Sequence, residues 1–477
     1  MGTQTTRPVP AAAREDRRFA VYAVTYATVV MSNLDLFVVN VALPDIGRGY
    51  RESGLSLLSW VLNAYAIVFA ALLVPAGRLA DRHGRARGFL AGLALFTAGS
   101  ALCALAPDPG WLIAARVVQA VGAAALLPTS LALLLDAAPP GHGGRVIRAW
   151  SALGGISAAL GPVVGGLLVQ SGWQWVFLVN VPVGVAAFVV GIRVLPRERA
   201  RTGPTADVAG ALMLTAGIAA LVLGLVQGSA WGWGSPRVLG CLAAGPALLI
   251  LTAVRGRHHP APVIDPAMLR IWAFSAAAVA TLVFAVCFGG MILAASLWCQ
   301  DVWHYSAVRT GLALAPGPLM VPPLAAAAGP LSRRIGQGRV AALGNLLFGV
   351  GLAFIGLRCA PAPGYLSEML PGFLIGGVGV GLALPTLTAA GATALPARRL
   401  ATGTGLLTMA RQLGAVLGVA IVVLLIGVSP AGHAAQLAFR DAWYAMAAFA
   451  VLAAAASLAV PATGRAASAA ADADRAA

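Results

Sequence analysis

Gly77-Arg78-Leu79-Ala80-Asp81-Arg82-His83-Gly84 is a basic, glycine-bounded turn between two apolar runs, and a degraded copy, Gly329-Pro330-Leu331-Ser332-Arg333-Arg334-Ile335-Gly336, follows 252 residues later. A second pair repeats at an offset of 257: Gly122-Ala123-Ala124-Ala125-Leu126-Leu127-Pro128-Thr129 and Gly379-Val380-Gly381-Leu382-Ala383-Leu384-Pro385-Thr386. Two echoes at nearly the same offset argue for a duplicated unit.

Outward from these turns the chain is strongly apolar. Of its 477 residues 59% are hydrophobic and 10% charged, with a mean hydropathy of +0.86. Soluble domains are about 45–50% apolar and about 25% charged, so a soluble globular protein is excluded. Fourteen apolar runs stand at residues 19–41, 55–77, 88–106, 111–135, 146–170, 175–195, 208–228, 238–254, 272–298, 308–330, 340–357, 366–395, 403–428 and 442–460. Each approaches the roughly 20 residues that carry an α-helix across a bilayer, and none shows the ten-residue alternation of a barrel strand. Subtracting the echo offsets leaves runs 1–6 and 9–14 as two halves, with runs 7 and 8 inserted. The expectation is an all-α polytopic membrane protein: a tail at 1–18, a six-helix half at 19–200, an inserted pair with linkers at 201–270, a second half at 271–464, and a disordered tail at 465–477.

All 32 basic residues are arginine, which removes the lysine chemistries of P-loops, pyridoxal enzymes and Ser-x-x-Lys nucleophiles. The net charge of +16 does not indicate nucleic-acid binding, because the arginines punctuate the apolar runs instead of covering one surface. With the N-terminus inside, 24 arginines fall in inner loops and tails and six outside, while Arg116 and Arg411 lie within runs. Basic loops are retained in the cytoplasm, so both termini are expected there. Alanine richness without lysine suggests a bacterial inner membrane. The first run is too long for a cleaved signal peptide, and the myristoylation-like start Met1-Gly2-Thr3-Gln4-Thr5-Thr6 is read as coincidence. Five dispersed cysteines without C-x-x-C spacing read as packing residues, and six histidines in or beside loops show no metal-ligand pattern. No metal or cofactor is expected.

Asp35 is the only carboxylate near the middle of a run, in Asn33-Leu34-Asp35-Leu36-Phe37-Val38-Val39-Asn40-Val41-Ala42-Leu43-Pro44. Placing it there costs about 2.5–3.5 kcal/mol by insertion scales, so it should face an aqueous cavity or a partner. Burial and a nearby cation pull a carboxylate's proton affinity in opposite directions, the tension a proton carrier needs. The alternative is a structural acid paired permanently with an arginine. Arg116 cannot release its proton but can tune a carboxylate across a cavity, with Gln119 on the same helical face; a purely structural Arg116 bonded to backbone carbonyls is the alternative. Arg411-Gln412 is the comparable polar pair in the second half, open to either substrate contact or packing. Asn33, Asn40 and Asn63 complete the candidate cavity. Gly77, Asp81, Arg82, Gly84 and Arg85 form a candidate gate, with a solvated topology signal as the alternative. Gly154, Gly161, Pro162, Gly165 and Gly166 put small residues and a proline in run five, which close packing alone would also explain.

Together, Leu34-Asp35…Asn40-Val41-Ala42-Leu43-Pro44, Gly77-x-Leu-Ala-Asp81-Arg-x-Gly84-Arg85, Arg116-x-x-Gln119-x-x-Gly122, Gly161-Pro162-x-x-Gly165-Gly166 and the Trp173–Pro182 stretch resemble the fourteen-helix drug:proton antiporter branch of the major facilitator superfamily. The resemblance spans nearly the whole chain. It implies the major facilitator fold and proton-driven export by alternating access, with Asp35 as coupling acid and Arg116 controlling proton transfer. It further implies Asp81 in the cytoplasmic gate and the Gly161-Pro162 helix as the antiport element. Two positions depart from the pattern: Phe37 is often polar in the family and is expected to narrow or dry the cavity, and Arg333 stands where the second gate would carry its acid.

A proton-coupled exporter of amphipathic small molecules is therefore the first reading, acting as a monomer on protons and a small-molecule substrate in the bilayer. A nutrient importer would need more polar spans, and an enzyme or lipid-handling protein would need a catalytic constellation. One central carboxylate offsets about one positive charge, so neutral, zwitterionic or monocationic substrates are expected, and acidic ones if Arg411 faces the cavity.

Overall fold

A computed structural model describes residues 11–50, 54–139, 142–196, 207–260, 262–264, 266–395, 400–427 and 433–461. The myristoylation-like start, the whole of 197–206 and the tail beyond 465 lie outside the described residues, as do the side chains of Arg78 and Asp81.

Among the described residues the chain is helical without strands. The first half comprises α1 (Ala11–Gly49), α2 (Leu55–His83), α3 (Arg85–Ala104), α4 (Pro109–Ala137), α5 (Gly143–Val169), the short α6 (Trp175–Leu178) and α7 (Asn180–Val194). Next come α8 (Val208–Trp231) and α9 (Pro236–Gly256), then α10 (Pro266–Leu269) and α11 (Trp272–Leu297), which ends in a π turn at Trp298–Val302. The remainder is α12 (Ala307–Leu314), α13 (Pro316–Leu319), α14 (Val321–Ile335), α15 (Gln337–Arg358), α16 (Tyr365–Glu368), α17 (Leu370–Thr393), α18 (Leu400–Ile426) and α19 (His433–Leu458). Thirteen segments are long and apolar enough to cross a membrane, and α5, 27 residues long, supplies a fourteenth helix where the sequence places run five. The tenth run is broken into α12, α13 and α14 because Pro316, Pro318, Pro322 and Pro323 withhold amide donors there.

Local chemistry sets the helix ends. Asp108 caps α4 by accepting the Trp111 amide at 2.9 Å, and Ser306 caps α12 by accepting the Arg309 amide at 3.2 Å. Gly84 and Gly336, equivalent positions of the first echo, have φ of 105° and 93° and turn the chain from α2 into α3 and from α14 into α15. A side chain at either would be strained.

The echo extends to packing. A methyl group added at Gly92 would stand 2.8 Å from the Gly122 carbonyl oxygen, and one at Gly344, also 252 residues on, 2.6 Å from that of Gly379. Pairs α3/α4 and α15/α17 thus approach through the same glycines, as small residues allow in lipid. Helices α8 and α9 pack on each other, and α8 also touches α2 and α18. Their outer faces leave Leu212, Leu239, Ile250 and Leu251 exposed, as a lipid-facing surface would.

Candidate functional site

Asp35 and Arg116 meet. The carboxylate leaves α1 into the interior of the first half, and Arg116 Nη1 donates to its Oδ2 at 2.5 Å, with both side chains essentially inaccessible. Gln119 Nε2 and Asn180 Nδ2 each donate to Oδ1 at 2.9 Å. Both amides also donate to the Ser100 hydroxyl, at 2.7 and 3.3 Å. Arg116 has further partners: Nη1 donates to Gln119 Oε1 at 2.5 Å, Nε to the Val61 carbonyl at 3.1 Å, and the Tyr65 ring lies 4.0 Å from Cζ.

The carboxylate is therefore surrounded by donors. Breaking a buried pair by removing one partner costs about 3–5 kcal/mol, because the other charge is left uncompensated in the interior.

Of the two settings expected for Asp35, an aqueous cavity or a partner, the structure shows the partner, with Arg116 directly against it. The cleft lies on another face of α1. It is lined by Ser32 and Asn33 of α1, Tyr65 and Phe69 of α2, and Arg411 and Gln412 of α18, with apolar residues of α1 and α4, and holds about 240 Å³ of atom-free space. The cavity proper is only about 10 Å³, against about 300–1,000 Å³ for drug-sized pockets, so the cleft is closed. Of the candidate cavity residues it gathers Asn33, Arg411 and Gln412. Asn40 instead donates to the Leu36 carbonyl of its own helix, Gln119 belongs to the Asp35 network, and Asn63 is buried with both amide atoms lacking hydrogen bonds. Phe37 lies off the cleft, where its Cβ fills the space beside Gly161.

The candidate gate residues gather at one end of the bundle. Gly77 approaches Pro128, with an added methyl 3.3 Å from its Cβ, and Arg85 Nη1 donates to Asp136 Oδ2 at 2.7 Å, binding α3 to the end of α4. Arg82 is half-buried, whereas Arg333 and Arg334, which stand 252 residues after Asp81 and Arg82, are both exposed.

The opposite end is closed by contacts that the sequence reading missed. Ser296 Oγ donates to the Asn40 carbonyl at 3.1 Å, and Gln300 Nε2 to the Val41 carbonyl at 2.9 Å. Asn40 precedes Pro44 by four residues, so its carbonyl has no amide to accept from within α1. That spacing was the available signal. The glycines of α5 complete the closure. Gly165 faces the Val38 carbonyl of α1, with an added methyl 2.9 Å away, Gly166 abuts Ala307 and Val308 of α12, and Gly311 abuts the Pro162 carbonyl. Gly154 has open space around it. Also missed were Tyr65, Ser100 and Asn180; the last is a polar residue within an apolar run, which marks it.

The comparisons agree with this architecture. The profile of the Major Facilitator Superfamily matches residues 25–419. The tetracenomycin C resistance and export protein of Streptomyces glaucescens is 33% identical over 436 residues, covering 91% of this chain and 80% of that protein. The methylenomycin A resistance protein of Streptomyces coelicolor is 31% identical and covers 92% of both. The multidrug resistance protein Stp of Mycobacterium tuberculosis is 34% identical over 81% of this chain and 72% of its own length. Among solved structures, an auto-inhibited POT family peptide transporter superposes with a TM-score of 0.66 at 19% identity, over 92% of this chain and 96% of that one. The chain belongs to the Major Facilitator Superfamily and is a multi-pass membrane transporter of a small-molecule substrate.

Proposed function

We propose that the protein exports amphipathic small molecules of the antibiotic or multidrug type, driven by the proton gradient. The relatives named for antibiotic resistance and export support the exporter reading. The observation that carries proton coupling is the buried Asp35–Arg116 pair: one ionisable carboxylate held entirely by donors beside the cleft.

In this reading the halves 19–200 and 271–464 rock about the cleft, with the pair in 201–270 appended beside the seam. The chain acts as a monomer in a bacterial inner membrane with both termini in the cytoplasm. The present conformation is then closed towards the outside through Ser296, Gln300 and the glycines of α5 and α12. Substrate binding parts the outer contacts and the halves exchange position; a proton entering from the outside then neutralises Asp35, frees Arg116 and favours the return. Return to the inward state with the proton released restores the pair. Asp81 and Arg82 would brace the inner end when it closes. Protonation thus biases an equilibrium between two arrangements.

Accumulation of a compound panel in cells with and without the protein tests this reading. Lower accumulation of amphipathic compounds, restored by a protonophore, is expected. Equal accumulation of every compound at verified expression would reject export, and persistence of the difference under the protonophore would reject proton coupling.

A further inference from the structure

The cleft between α1, α2, α4 and α18 carries a positive charge with nothing set against it. Arg411 lines it half-buried, and among the described residues no carboxylate or hydrogen-bond acceptor engages its guanidinium. Arginine keeps its charge at all accessible pH, and a desolvated charge requires a partner. A second group points the same way: Tyr65, 1% exposed and also lining the cleft, has a hydroxyl without a hydrogen bond. Gln412 adds an amide. No acidic side chain lines the cleft, and Asp35 is turned away with its charge matched by Arg116.

We propose that this cleft is the acidic-headgroup subsite of the exporter. It takes the carboxylate or ionised phenol of an amphipathic compound, with Arg411 as the counter-ion and the Tyr65 hydroxyl as a second donor. Leu36, Phe69 and Leu127 supply an apolar wall for the adjoining ring or chain. The closed cleft, at about 10 Å³, holds no more than a water, so headgroup and tail enter together as the halves part. This inference rests on the exporter reading and gives its substrate class. Of the substrate charges expected from the sequence, it takes the acidic one, which was tied to Arg411 facing the cavity. Tyr65 has its ring on Arg116, so a headgroup bound at its hydroxyl lies one side chain away from the proton-carrying pair.

Three probes with one fluorophore and similar length test the assignment on the full-length protein in nanodiscs: N-dansyl-6-aminohexanoic acid, its methyl ester, and the amine dansylcadaverine. The acid is expected to bind about tenfold tighter than either partner, the worth of one charge-assisted hydrogen bond. Arg411→Gln should erase that preference and leave ester affinity within about twofold, and Arg411→Lys should keep part of it. Tyr65→Phe should weaken the acid several-fold and not the ester. The comparison on the unaltered protein decides the matter even where a variant fails to fold. Ester or amine binding as tightly as the acid, absence of acid binding, or a preference that survives Arg411→Gln would overturn the subsite. Gradient-driven export of the amine without preference for the acid would reject this charge assignment while leaving the exporter reading intact. A cell panel in which no compound is exported would reject the exporter reading itself.

Discussion

The ring of Tyr65 lies over the guanidinium of Arg116, with Cζ 4.0 Å from the ring centroid, while the residue also lines the inter-half cleft and its hydroxyl has no hydrogen bond. One side chain thus joins the buried Asp35–Arg116 pair to the cleft. A desolvated cation–π contact is worth about 2 kcal/mol. Tyr65→Leu should lower the thermal unfolding midpoint and uncouple transport from the gradient, whereas Tyr65→Phe, which keeps the ring, should retain gradient-driven export of a neutral compound. Equal behaviour of the two variants in vesicle transport would remove Tyr65 from the coupling.

Closure of the end opposite the termini depends on glycine. An added methyl at Gly311 would collide with the Pro162 carbonyl, and one at Gly166 with Ala307, while Gly154 has open space around it. Gly311→Ala and Gly166→Ala should therefore shift the protein towards the state open at that end. Spin-label distances between the 170–174 and 303–306 loops should lengthen. Gly154→Ala should change neither distance nor stability by more than about 0.5 kcal/mol. A lengthened distance in Gly154→Ala alone would reject this reading of the motif.

Pro44 leaves the Asn40 carbonyl available to the second half. Ser296→Ala removes one donor at a cost of about 1 kcal/mol, and Pro44→Ala supplies an amide that competes for the Asn40 carbonyl within α1. Both should raise the reactivity of a cysteine placed at position 41 towards a membrane-impermeant thiol reagent. Unchanged reactivity in both would show that the carbonyl contacts do not hold this end shut.

The sequence carried much of this. Gly84/Gly336 and Gly122/Gly379 could be read as repeats because the turn or the close backbone approach at these positions admits no side chain, whereas their partners Gly92 and Gly344 emerge only from the packing. The intramembrane charges of Asp35 and Arg116 stood out for the same energetic reason. Their direct contact did not, since a spacing of 81 residues says nothing about which faces of α1 and α4 meet. The placement of Asn33 on the cleft and Asp35 away from it depends on helix rotation, set by packing from α5, α7 and α4. The candidate cavity therefore mixed residues of the cleft with residues of the buried network.

At the membrane edge, Asp207 Oδ1 caps α8 by accepting the Gly210 amide at 2.8 Å and Arg255 Nε at 2.8 Å. Burial pushes its pKa up, but the hydrogen bonds from Arg255 and Gly210 and the charges of His259 and Arg255 outweigh burial and hold it below the ordinary value. A carboxyl more acidic folded than unfolded stabilises fully above its unfolded pKa of about 3.9, and loses that contribution as pH falls through the lower folded value. Asp207→Asn should cost about 1 kcal/mol at pH 7 and progressively less below about pH 4. Thermal melts of both proteins at pH 7 and pH 3 check this, and a gap that widens in acid would contradict it.

Proton movement through Asp35 is measured most directly in proteoliposomes that hold the purified protein and an internal pH dye, with no gradient imposed. Adding an exported compound to one side should drive protons the opposite way in the unaltered protein. In Asp35→Asn, inserted to the same level, downhill movement of the compound should continue without proton movement. Substrate-driven proton movement undiminished by Asp35→Asn would contradict the role of this carboxylate.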